Sequence, residues 1–199
     1  KNRYTLFEPS VSAKATERWR LEQEMKATLQ RGGFNLLYQP IVGRDGRTLG
    51  MEALTRWKRD DERTVMPGEF IPIAEETGMI VALGDWALRR ACYDARRLHE
   101  HGCRDVYVSV NVSSRQFERP GYAEELEATV KGSGLAPSRL KLELTESAIM
   151  RNTADAIERI KDIKQRLPGI SFMIDDFGTG YSSLTYLSRL PVDALKIDI

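Results

Sequence analysis

At 199 residues, 41% hydrophobic and 30% charged, the chain has the make-up of a globular protein with one sizeable core. Its 30 Lys and Arg against 29 Asp and Glu leave a formal charge of +1, so no global field favours a nucleic-acid polymer or an anionic membrane, and a small ligand is the expected partner. No apolar run approaches the roughly 18 residues of a membrane span, and the opening KNRYTLFE is no signal peptide. The two cysteines, Cys92 and Cys103, make neither a disulfide framework nor a zinc site, and a cytoplasmic setting is expected, including as the cytoplasmic part of a larger membrane-anchored protein.

RYTLFE (3–8) predicts a strand closed by Pro9, and the charged stretch from Ser12 to about Arg31, with Trp19, Met25 and Leu29, predicts an exposed helix. Residues 1–11 then read as the tail of another domain, 12–32 as a linker helix and 33–199 as the main domain. FNLLYQP (34–40) and TLGMEAL (48–54) predict an antiparallel hairpin turning at 44–47. Two helices follow, one opening at Pro67 and ending by Gly78, the next running from about Val81 to His101. VYVSVNV (106–112), a helix to about Lys131, LKLEL (140–144), a helix to about Leu167, SFMID (171–175), a short helix and ALKIDI (194–199) complete the order. Asn111, Glu143 and Asp175 lie 32 residues apart, one strand-plus-crossover-helix unit each, so the sheet is parallel with helices outside.

Alternation within the strands separates a barrel from an open doubly wound sheet. Val106, Val108, Val110 and Val112 share one face and Tyr107, Ser109 and Asn111 the other, and the same division sets Leu140, Leu142 and Leu144 against Lys141 and Glu143. A sheet covered on both sides would be apolar on both faces; a barrel with helices outside and a polar mouth at its C-terminal strand ends fits this pattern. No Gly-x-Gly-x-x-Gly follows the first strand. Glu52, Asn111, Glu143, Asp175 and Asp176 stand at or near those strand ends. Carboxylates converging there would repel one another unless cations neutralise them, and hard oxygen ligands without Cys or His favour Mg²⁺ or Mn²⁺. Gly178, Thr179 and Gly180 after the Asp pair read as a mobile lid.

Laid out this way, the chain resembles the EAL-domain cyclic-di-GMP phosphodiesterases. Glu52-Ala53-Leu54 stands in EALTRW, and the match runs through YQPI (38–41), PGEFIPIAEETGMI (67–80), VNVSSRQF (110–117), LELTES (142–147), DDFGTGYSSLTYL (175–187) and LPVDALKID (190–198). The resemblance implies an α/β fold, a modified TIM-like barrel with an antiparallel first strand. It implies that Glu52, Asn111, Glu143 and Asp175 ligate one metal, that Asp175 and Asp176 reach a second, and that Lys196 positions the attacking water. Glu52, Asp176 and Lys196 are thereby the implied catalytic residues. Gln39, Leu54, Arg56 and Asp198 match substrate-contacting positions, and Glu146 matches the anchor of the glycine loop. The implied reaction is two-metal hydrolysis of cyclic-di-GMP to pGpG; the alternative is an EAL-type receptor that binds without cutting, against which every family metal position in this stretch is intact.

By the same resemblance a homodimer through this domain is expected. NRYTLFEP with the charged helix is similar to the end of a GGDEF domain and its linker, so such a domain is expected upstream in cis. Six barrel strands are predicted where a closed barrel of this class has eight, and at least two further strand-helix units are expected beyond Ile199.

Overall fold

The computed structural model describes residues 9–59, 63–178 and 189–197, with side chains from residue 16 onward. Helix α1 (Pro9–Arg31) begins at the proline that the sequence reading set at the close of a strand. Proline suits a first helical position because its missing N–H would have no intrahelical partner there. The strand expected at 3–8 lies outside the described residues. Leu21, Met25 and Thr28 form the buried stripe of α1, and the N–H groups of Gly32 and Gly33 end it on the Thr28 carbonyl (2.9 and 3.1 Å).

Strands β1 (Phe34–Val42) and β2 (Thr48–Lys58) pair as the expected antiparallel hairpin, and β3 (Thr64–Val65), which no sequence signal announced, pairs with β2. Helix α2 (Pro67–Thr77) opens on proline, and the Glu69 carboxylate reaches back to the Met66 N–H (3.2 Å). Gly78, with φ 79°, makes the sharp corner into α3 (Met79–Glu100), a left-handed conformation that suits glycine. The remaining strands are β4 (Tyr107–Asn111), β5 (Leu140–Thr145), β6 (Ser171–Phe177) and β7 (Ala194–Ile197).

The helices between them are broken where single helices were expected. Pro120 and Gly121 separate α4 (Ser114–Phe117) from α5 (Tyr122–Ser133), while Asn152, with a non-helical backbone, separates α6 (Glu146–Met150) from α7 (Thr153–Arg166). A one-turn helix directly after β4 and another after β5 let the chain turn at the C-terminal rim before descending along the sheet.

The sheet order is β1-β2-β4-β5-β6-β7, parallel from β2 onward and not closed among the described residues. Its outward face packs Val108, Val110, Leu140, Leu142, Leu144, Phe172 and Ile174 against Ala91, Ala95, Leu126, Val130, Ile160 and Ile163 of the helices. Fully burying each large apolar side chain contributes about 1.5–3 kcal/mol, which makes this the dominant stabilising layer. A second cluster joins α1 to the hairpin through Met25, Phe34, Trp57, Val65 and Phe70, with the Trp57 and Phe70 rings edge-to-face at 6.0 Å. The expected packing of the outward face fails at β7, an edge strand among the described residues, where Leu195 and Ile197 are 43% and 72% exposed. No helix among the described residues is long and apolar enough to cross a membrane.

Candidate active site

Strand register brings the polar residues together. Glu52 pairs with Ser109, two positions before Asn111; Asn111 pairs with Glu143; Glu143 pairs with Met173, two positions before Asp175. Because side chains alternate with period two, an offset of zero or two positions keeps each polar residue on the inward face. Lys196 closes the set from β7: its Nζ donates to Glu52 Oε2 and Glu143 Oε2 at 2.9 Å each and lies 3.5 Å from Asp175 Oδ1. Asn111 Nδ2 donates to Glu52 Oε1 at 3.0 Å, so its amide oxygen, a hard donor, stays available.

Burial decides the electrostatics. Glu143 is 1% exposed, and its Oε1 and the equally buried Ser109 Oγ complete no hydrogen bond within normal geometry. Burial pushes the Glu143 carboxyl above the usual range, Ser109 and Lys196 pull it back, and the neighbouring Glu52 charge raises it again. For Lys196, burial is the largest single influence and favours the neutral amine. The hydrogen bonds to Glu52 and Glu143, with their charges, outweigh it and hold the ammonium above the ordinary lysine range. Lys196 is therefore a fixed cation.

The carboxylates expected to meet a metal lie around a protein cation. Among the described residues no three acidic, histidine or cysteine side chains are set closely enough to hold a metal ion, and the carboxylates instead gather on the Lys196 ammonium. Mutual repulsion of Glu52, Glu143 and Asp175 requires a counter-charge, and the lysine supplies one. The donor set nevertheless fits a hard divalent cation: it is all oxygen, and Glu143 Oε1 is a buried acceptor that no donor meets in normal hydrogen-bond geometry.

The segment after β6 turns sharply. Asp176 has φ 55°, alone among described non-glycine residues in being positive, and its N–H donates to Asp175 Oδ1 (3.0 Å). Aspartate is among the residues that tolerate this region, at a cost of about 1–3 kcal/mol. Gly178 N–H donates to Glu146 Oε2 at 3.1 Å, from a glutamate buried at the start of α6. The α6 start is fixed by Thr145, whose Oγ1 accepts from the Ala148 N–H (3.3 Å).

Beside the carboxylates lies a cavity of about 290 Å³ lined by Leu54, Arg56, Asn111 and Glu143, with Ile71 and Leu83 on its apolar side. Arg56 Nη1 donates to the Thr55 carbonyl (2.9 Å). Gln39 is exposed and faces Glu52 across the hairpin register. Asp198 lies outside the described residues, as do Thr179 and Gly180. A hollow of about 510 Å³ between α1 and the end of β2, lined by Arg20, Arg31, Trp57 and Arg59, shares no lining residue with this cavity. Ser109, buried beneath Glu143, carried no sequence signal beyond its inward register.

An arc of parallel strands with helices outside and carboxylates, an amide and a lysine at the C-terminal strand ends defines a TIM-like barrel with its site at the usual mouth. The chain belongs to the EAL domain family, whose model matches residues 22–199. It is 40% identical over 199 residues to "Bifunctional diguanylate cyclase/cyclic di-GMP phosphodiesterase MucR" of Pseudomonas aeruginosa, covering 100% of this chain and 29% of that protein. It is 41% identical over 202 residues to "Cyclic di-GMP phosphodiesterase NbdA" of the same organism, covering 100% of this chain and 25% of that protein. The chain thus spans between a quarter and a third of these relatives' length. A solved structure, "PaMucR Phosphodiesterase, c-di-GMP complex", superposes with a TM-score of 0.85 at 39% identity, covering 90% of this chain and 72% of that one.

Proposed function

We propose that this chain catalyses metal-dependent hydrolysis of one phosphodiester bond of cyclic-di-GMP to give pGpG. The observation that carries the reading is the convergence of Glu52, Asn111, Glu143, Asp175 and Lys196 on one mouth, next to a cavity bearing Arg56, in a chain of the EAL family. Two Mg²⁺ or Mn²⁺ ions, one held by Glu52, Asn111, Glu143 and Asp175 and the other by Asp175 and Asp176, would activate water and stabilise charge on the phosphoryl oxygens.

The chain's own groups supply orientation and charge. Lys196, whose bonds to Glu52 and Glu143 hold its ammonium above the ordinary lysine range, orients the nucleophile and offsets developing negative charge. Arg56, at the cavity wall, is suited to a phosphate through its planar fork of donors, while Gln39, Leu54 and Asp198 complete the proposed substrate contacts. Glu146 holds the Gly178 backbone and with it the turn that presents Asp175 and Asp176. A cytoplasmic setting, homodimerisation and a GGDEF domain in cis are proposed on the sequence resemblance and on the two cysteines being free thiols.

The test is incubation of the complete protein with cyclic-di-GMP and Mg²⁺ or Mn²⁺, with products separated by ion-exchange chromatography. Metal-dependent pGpG supports hydrolysis. Tight binding with the cyclic dinucleotide recovered intact would make the chain a receptor.

A further inference from the structure

Helix α3 carries a glycine, Gly84, in its interior, where glycine costs about 1 kcal/mol relative to alanine. The compensation lies across the interface with α4. A Cβ at Gly84 would sit 2.0 Å from Gln116 Oε1 and 2.4 Å from its Cδ, so the bare helix backbone is what admits the Gln116 side chain. Gln116 is 2% exposed, and each end of its amide is used. Its Nε2 donates to Asp85 Oδ1 at 3.0 Å, and its Oε1 accepts from the Ser113 N–H (3.4 Å) and from Ser113 Oγ (3.3 Å). Ser113 Oγ in turn accepts from the Gln116 N–H at 3.2 Å, closing a reciprocal cap, and Arg119 Nη1 holds the other Asp85 oxygen at 3.0 Å.

The tethered point is functionally placed. Ser113 is two residues beyond Asn111, and the intervening Val112 N–H donates to the Glu143 carbonyl at 2.8 Å. The corner from Asn111 to Ser113 is therefore fixed on one side by β5 and on the other, through Gln116 and Asp85, by α3. We propose that Gln116 is a positioning residue for the proposed metal ligand Asn111, and that Gly84 is the small residue that makes its placement possible. The inference rests on the hydrolase reading for its purpose, but its geometry is independent of turnover. Gln116 touches no proposed reacting atom; it acts by restricting the corner from which the Asn111 amide projects. Groups hydrogen-bonded to a metal ligand itself typically change its affinity by about 10- to 100-fold, and a tether two residues along the chain from Asn111 is expected at the lower end of that range.

Gln116→Met keeps the side chain's length and apolar stem while removing the three amide bonds, and it introduces no clash with Gly84. Calorimetric titration of the complete protein with Mn²⁺, in the absence of cyclic-di-GMP, is expected to give an affinity about tenfold weaker than wild type. Unchanged Mn²⁺ affinity, whether or not the melting temperature falls, would overturn the proposal, because a cross-link of purely structural value would move only the melt. Gly84→Ala is expected to weaken Mn²⁺ binding in the same direction, and to do so no further once Gln116→Ala has removed the obstructing side chain. Additive losses in that double variant would refute the contact, and should Gly84→Ala fail to fold, the Gln116→Met titration decides alone. Wild-type protein that binds Mn²⁺ yet forms no pGpG would sink the hydrolase reading and leave this one standing.

Discussion

Lys196→Met separates the lysine's role as counter-charge from its role in packing, since methionine retains much of the aliphatic stem. The substitution leaves Glu52, Glu143 and Asp175 without their shared cation, and Glu143 is fully buried. Breaking a buried ion pair on one side typically costs about 3–5 kcal/mol. Lys196 is 37% exposed, so solvent screening reduces this to about 2 kcal/mol. For a chain of this length that corresponds to about 4–8 °C in melting temperature. The assay is thermal unfolding in EDTA and in saturating Mn²⁺. The variant should melt lower than wild type in EDTA and recover more than wild type on adding Mn²⁺, because a divalent cation bound by the same carboxylates replaces the missing charge. Equal melting in EDTA, or an equal Mn²⁺ response, would refute the counter-charge reasoning.

Glu52→Ala removes a carboxylate that meets both Lys196 and Asn111, and should lower pGpG formation by at least about a hundredfold while weakening cyclic-di-GMP binding much less, as read by turnover alongside ligand titration. Glu146→Ala frees the Gly178 N–H and should reduce activity in a way that excess Mn²⁺ partly restores, whereas Glu143→Ala should show no such rescue; identical metal responses would erase the distinction between anchor and ligand. Burial pushes the Cys92 thiol up to about 12, so an alkylating reagent at pH 8 should take only Cys103 in the folded chain and both thiols in urea. In the unfolded chain Cys92 ionises above about 8.5, so unfolding gains an ionisation that the native state withholds, and stability should fall as pH rises from there towards 12.

Much of the fold was legible because period-two alternation survives in strands with one helix-covered face. Val108 and Val110 against Ser109, or Leu142 and Leu144 against Glu143, assign faces that the structure keeps. The hairpin was legible from its turn, and Pro67 and Gly78 bracketed α2. Features set by tertiary contact were not. Pro9 opens a helix whose stability comes from Leu21 and Met25 packing on the hairpin, which a local rule about strand ends does not contain.

The gathering of carboxylates was readable from strand ends, but their convergence on Lys196 depends on register across five strands. The Glu146 contact likewise needs β5 and β6 side by side before Gly178 comes within reach. Gly84 has no local role in the pattern of α3; only the approach of Gln116 from α4, 32 residues later, gives it a reason.

The most direct measurement is the reaction run in ¹⁸O-labelled water. The complete protein is incubated with cyclic-di-GMP and Mn²⁺, and the product is weighed by mass spectrometry, with EDTA and Glu52→Ala as controls. Hydrolysis by activated water predicts pGpG carrying one ¹⁸O on its terminal phosphate, formed only with metal and sharply reduced in Glu52→Ala. Cyclic-di-GMP recovered unlabelled and intact from protein that demonstrably binds it would contradict the assignment of a phosphodiesterase.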